Sequence, residues 1–139
     1  MKQQQGFTLI ELVMVIVILG ILAATALPKF ASLQGDARTA SINSAAGAVK
    51  SAMAITHAKS LIDGDEGAAT SSLVLEGTTV NMVYGYPAAA DIHLAAGLGV
   101  EYGNAAGVIT LVSNTTCTFT YSVATSATAP ATVSAVTPC

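Results

Sequence analysis

Two hydrophobic patterns follow one another along the first sixty residues. From Phe7 to Leu27 the chain is apolar on every side of a notional helix, broken by one charge, Glu11. Those 21 residues would form a helix about 31 Å long, enough to cross a hydrocarbon core of about 30 Å. Beyond Pro28 the pattern turns amphipathic. Phe30, Leu33, Ala37 and Ala40 make one stripe; Ile42, Ala46, Val49 and Met53 continue it slightly rotated. Lys29, Asp36, Arg38, Lys50 and Lys59 lie mostly off both stripes, and the alanine-rich composition supports a helix to about Ser60 despite Gly35 and Gly47. Pro28 removes a helical hydrogen bond and Gly20 is a second weak point, so the persisting period predicts a kinked continuation.

After Ser60 the period changes. Ser72–Leu75 and Thr78–Tyr84 read as strands joined by a turn at Glu76-Gly77, and Gly85-Tyr86-Pro87 ends the second. Ala88–Ala96 suggests a short helix before the Gly97–Gly99 break. Residues 107–112 and Thr116–Val123 are the stronger strand candidates. The latter alternates Cys117, Phe119, Tyr121 and Val123 with threonine and serine. Ala131–Val136 closes the series. One long helix followed by strands predicts an α+β chain with an antiparallel sheet.

Composition narrows the function. Only 9% of residues are charged, against about 25% in typical soluble domains, which suits a subunit covered by copies of itself. All five basic residues precede position 60, whereas six acids and no base follow it. Phosphate binding relies on Lys and Arg, so a nucleic-acid role for the second half is unattractive. Asp63, Asp65 and Glu66 are weak candidates for a calcium site, without the loop signature of an EF-hand. His57 and His93 have no sequence partner that suggests a base, and no nucleophile elbow, phosphate loop or cofactor motif is found. No enzyme and no cofactor is expected. Asn114-Thr115-Thr116 fits a glycosylation sequon, read here as incidental.

Glu11 demands an explanation, because a carboxylate within a spanning helix costs a few kcal/mol unless it snorkels, protonates or is paired. A secretory signal would account for Ala24-Thr25-Ala26 as a cleavage site ahead of Leu27, but its core should lack an early acid. A plain anchor gives Glu11 no purpose. The run Lys2…Gly6-Phe7-Thr8-Leu9-Ile10-Glu11 resembles the processing site of type IV prepilins. That resemblance implies cleavage by prepilin peptidase between Gly6 and Phe7 and N-methylation of Phe7. It also implies assembly through the apolar helix. Glu11 would meet the Phe7 amine of a neighbouring subunit, where pairing offsets desolvation. The region Gly20 to Pro28 tends to unwind in filaments of the family.

The same resemblance implies a leader at 1–6, a transmembrane and assembly segment at 7–28, an amphipathic continuation at 29–60 and a β-rich head at 61–139. Cys117 and Cys139 allow one intramolecular pairing, favoured by an oxidising periplasm. The alternative of free thiols or a redox pair lacks the C-x-x-C spacing. Two such cysteines match the pilin pattern of a bounded C-terminal segment. The run Asn81 to Pro87 (NMVYGYP) is similar to the mannose-sensitive haemagglutinin class of type IVa pilins, used for surface attachment. The expected protein is a major pilus subunit, held in the inner membrane beside the assembly machinery and then exported as a homopolymer. A type II secretion pseudopilin and a minor or membrane-anchored adhesin are the alternatives.

Overall fold

The computed structural model describes residues 6–139, so leader residues 1–5 lie outside the described residues. Helix α1 runs Leu9–Asp63 with Pro28 inside it, and helical structure passes unbroken through Gly20. The chain divides into two compact units at Asp36/Ala37.

In the first unit α1 is uncovered. Residues Leu9 to Leu22 and Leu27 present exposed apolar side chains, and the helix carries the length and apolarity needed to cross a membrane. Hydroxyls within it bond back to the helix: Thr25 Oγ1 donates to the Leu22 carbonyl at 2.9 Å and Ser32 Oγ to Lys29 at 3.1 Å. Of the two predicted stripes, the first stays outside: Phe30 and Leu33 are 65% and 58% exposed. A monomer offers them no partner surface; periodicity reports which face wants burial, not what buries it.

The second unit holds the core. Ile42, Ala45, Ala46 and Val49 of α1 pack with Ile92, Ile109, Leu111, Cys117, Phe119, Tyr121 and Ala131. The alanines let the helix approach closely, and the buried Thr56 satisfies its hydroxyl on the Ala52 carbonyl at 2.8 Å. Two antiparallel sheets replace the single one expected. The first is β1 (Ser71–Leu75), β2 (Thr78–Val83) and β3 (Tyr86–Pro87). A short helix, α2 (Ile92–Ala95), precedes the second sheet. That sheet comprises β4 (Tyr102–Ala105), β5 (Val108–Leu111), β6 (Asn114–Ser122) and β7 (Thr132–Val133), in that order.

Three of the hairpins share one device. Glu76-Gly77, Tyr84-Gly85 and Ala106-Gly107 each place both residues at positive φ, joining strands paired Leu75↔Thr78, Val83↔Tyr86 and Ala105↔Val108. Two left-handed residues match the right-handed twist of flanking strands, and glycine takes the second place without strain. Gly85 has a further reason: an added Cβ would lie 2.9 Å from His57 Nδ1 and 3.1 Å from Ser60 Oγ.

Several expected boundaries shift. α1 ends at Asp63, past Ser60; β7 is two residues where six were expected, and the short helix contracts to Ile92–Ala95. The alternation in β6 holds: Cys117, Phe119 and Tyr121 are buried, with Thr116 and Thr120 exposed. β3 and β4 were not expected. Tyr86-Pro87 is too short to show a period, and Tyr102-Gly103-Asn104-Ala105 lacks the β-branched residues that mark strands.

Candidate functional site

Gly6 and Phe7 precede α1 as exposed, non-helical residues, with Phe7 94% exposed. Thr8 then caps the helix. Its amide and its hydroxyl both donate to Glu11 Oε2 at 2.8 Å, and the Glu11 amide donates back to Thr8 Oγ1 at 3.3 Å. This is a reciprocal capping box, in which Thr and Glu three residues apart satisfy amides that the helix leaves open. Glu11 therefore finds partners within its own chain, besides the neighbouring subunit's amine that the resemblance implies. Both bonds fall on Oε2; Oε1 accepts none among the described residues and remains open to a donor.

Beyond the box, α1 presents apolar side chains on all sides through Leu22, interrupted by the exposed Gly20. A Cβ at Gly20 would meet nothing within 4 Å. Close packing inside one chain does not require that glycine.

The other predicted residues scatter. Asp63 forms an ion pair with Lys59, one helical turn away. Among the described residues no three His, Cys, Asp or Glu side chains gather as a metal set, so Asp63, Asp65 and Glu66 do not converge. His57 stacks on Tyr86, ring centroids 4.3 Å apart and planes 7° from parallel, with Nδ1 3.3 Å from the Gly85 carbonyl. His93 Nδ1 lies 3.0 Å from Asn104 Nδ2, which also donates to the carbonyls of Ala89 and Ala90. His57 thus meets the Tyr84-Gly85 turn, and His93 joins α2 to β4.

The run Asn81 to Pro87 is a clip between elements. Asn81 donates from its amide and its side chain to Asp91 Oδ2, at 2.9 and 2.6 Å. Met82 is buried, Tyr86 lies on His57, and the Pro87 carbonyl accepts a 2.6 Å bond from the buried Tyr121 hydroxyl of β6. Burial, with Tyr86 nearby, pushes the Tyr121 phenol well above its ordinary range. The carbonyl it reaches belongs to the other sheet, so one hydroxyl ties the two sheets together.

Cys117 and Cys139 form a disulfide with Cα atoms 4.7 Å apart. Cys117 sits in the core, and the Cys139 amide donates to Thr39 Oγ1 of α1 at 3.4 Å. From Tyr102 to Cys139 no side chain is charged.

Residues 1–27 match the prokaryotic N-terminal methylation motif. A type IV narrow pilus major component, PilA5, of Thermus thermophilus is 55% identical over 51 residues, which cover 37% of this chain and 44% of the relative. A type IV major fimbrial protein, FimA, of Dichelobacter nodosus is 32% identical over 102 residues, 63% of this chain and 65% of the relative. The fimbrial protein EcpC of Eikenella corrodens is 38% identical over 81 residues, 58% of this chain and 53% of the relative. The matches thus span less than two thirds of these relatives' length. No solved structure matches the chain.

Proposed function

We propose that this chain, a type IV pilin by its N-terminal motif and its relatives, is the major structural subunit of a pilus. The observation that carries this is the conjunction of a methylation motif with a helix whose apolar side chains are left uncovered in the single chain. Before assembly, lipid can cover that surface; after assembly, only other copies can. Prepilin peptidase cuts between Gly6 and Phe7, Phe7 is N-methylated, and the inner-membrane machinery draws the subunit into an extracellular homopolymer. Glu11 Oε1 then takes the Phe7 amine of a neighbour while Oε2 keeps the cap. Gly20 and Pro28 are where α1 loosens in the fibre. The role is structural, with no catalytic step.

Surface attachment in the manner of the mannose-sensitive haemagglutinin class rests on Asn81 to Pro87 alone. Because that run clips elements together, its side chains explain the fold before they explain any receptor.

Mass spectrometry of sheared surface fibres tests the reading. The expected dominant component begins with a methylated Phe7, and Gly6→Val leaves a full-length precursor in the membrane. A mature N-terminus at Leu27, or fibres in which this chain is a trace component, would refute it.

A further inference from the structure

Outside the N-terminal segment, the second unit carries an open apolar groove. Ala52 and Ile55 of α1, Leu75 at the end of β1, and Leu94 and Ala95 of α2 line it, and Glu76 stands in its wall. Ile55 is 65% exposed and Leu94 45%, so the groove shows its apolar atoms to solvent. Glu76, at the tip of the first hairpin, has no basic partner among the described residues.

The first unit presents the complementary pattern. Leu33 stands one turn beyond Lys29 and three residues beyond Phe30 on α1, so Lys29 borders the Phe30–Leu33 stripe and all three fall within about 100° of the helix surface. Phe30 and Leu33 are exposed, and Lys29 has no carboxylate within ion-pair distance among the described residues. The other unpaired bases fit less well. One turn to either side Arg38 meets Gln34 and Ile42, and Lys50 meets Ala46 and Ala54, with no large exposed apolar side chain among the described residues at those positions.

We propose that this groove receives the Lys29–Leu33 face of a second copy's α1, with Phe30 and Leu33 on Ile55 and Leu94 and Lys29 against Glu76. Charge complementarity carries the choice of occupant: bases lie only before residue 60, and the groove's wall holds an acid. The two surfaces differ, so the contact is heterologous, and a heterologous contact that does not close generates an open filament. Apolar burial supplies attraction and the ion pair fixes register. The inference rests on the self-assembly reading above and adds a second interface to it.

Carbodiimide cross-linking of intact fibres, grown from a mixture of isotopically light and heavy subunits, tests the contact. Mixed-isotope peptides joining Lys29 to Glu76 are expected in fibres and absent from detergent-solubilised subunits. Lys29→Glu and Glu76→Lys should each lower fibre yield about tenfold, because like charges facing across an interface are costly. The double reversal should restore it to within about twofold, since the pair is re-formed with opposite sense. Wild-type fibres without the cross-link, single reversals at normal yield, or a double variant no better than the singles would overturn the groove contact and leave the pilin reading standing. A wild-type chain that forms no fibre would overturn both.

Discussion

Both hydrogen bonds that Glu11 accepts land on one oxygen, and this separates two roles that sequence alone merged. As a cap, Glu11 needs an acceptor; as a partner for an amine, it needs a charge. Glutamine keeps the first and loses the second. Thr8→Val removes the hydroxyl's two bonds in the cap, keeps its backbone amide on Oε2, and leaves the carboxylate. If pairing decides assembly, Glu11→Gln and Glu11→Ala should both be inserted and cleaved yet yield few fibres, since an unpaired buried charge costs about 3–5 kcal/mol. Thr8→Val should lose only those two bonds, about 1 kcal/mol, and stay within a few-fold of normal. The ratio of sheared fibre to membrane-bound mature subunit measures this. Normal fibres from Glu11→Ala would show that apolar packing suffices. The Thr-x-x-Glu spacing is legible in the sequence as a helix start, whereas the sharing of one oxygen by both bonds depends on the side-chain rotamer and is not.

Among elements, what was legible depended on how much of a period each could display. α1 shows several turns of pattern and β6 three alternations (Cys117, Phe119, Tyr121), and both are readable. Of the three matched hairpin turns, only Glu76-Gly77 stood out, lying between two β-rich runs. Tyr84-Gly85 and Ala106-Gly107 have the same backbone, yet neither carries the Asn or Asp that usually signals it. Nor does a local pattern show that Tyr121 reaches Pro87, 34 residues away in sequence, to bind one sheet to the other. Tyr121→Phe should therefore lower stability by about 1–3 kcal/mol, leaving the Pro87 carbonyl unsatisfied. The pH dependence follows from the raised phenol. Below about pH 10 the tyrosine is neutral folded or unfolded and contributes no slope. Above that the unfolded chain gives up the proton more readily, so wild-type stability falls. Denaturant melts across the alkaline range should show that limb flattened in Tyr121→Phe. An equal slope in both would remove Tyr121 as its source.

At the scale of the molecule, the disulfide is what the last stretch of chain hangs on. After β6 the strap pairs through the two residues of β7 and bridges such as Thr118↔Thr137, buries Ala131, and ends where the bond ties the exposed Cys139 to the buried Cys117, its amide on Thr39 of α1. Closing a separation of 22 residues is worth about 3 kcal/mol in the chain-entropy model. Cys139→Ser should lower the thermal midpoint of the solubilised subunit and expose residues after Ser122 to protease, with membrane insertion unchanged. Native fibres should resist thiol labelling at both cysteines until reductant is added. Ready labelling without reductant would refute the bond.

The uncharged run from Tyr102 to Cys139 gives the second sheet and its strap an unusual indifference to their medium. A contact made through those side chains alone has no Coulomb term to screen, so shortening the Debye length from about 30 Å to about 3 Å leaves it unaltered. Nor does that stretch hold a side-chain carboxylate, amine or imidazole to titrate between mildly acid and mildly alkaline water. Whatever adheres to this face through hydroxyls and methyl groups should hold as firmly in brine as in fresh water.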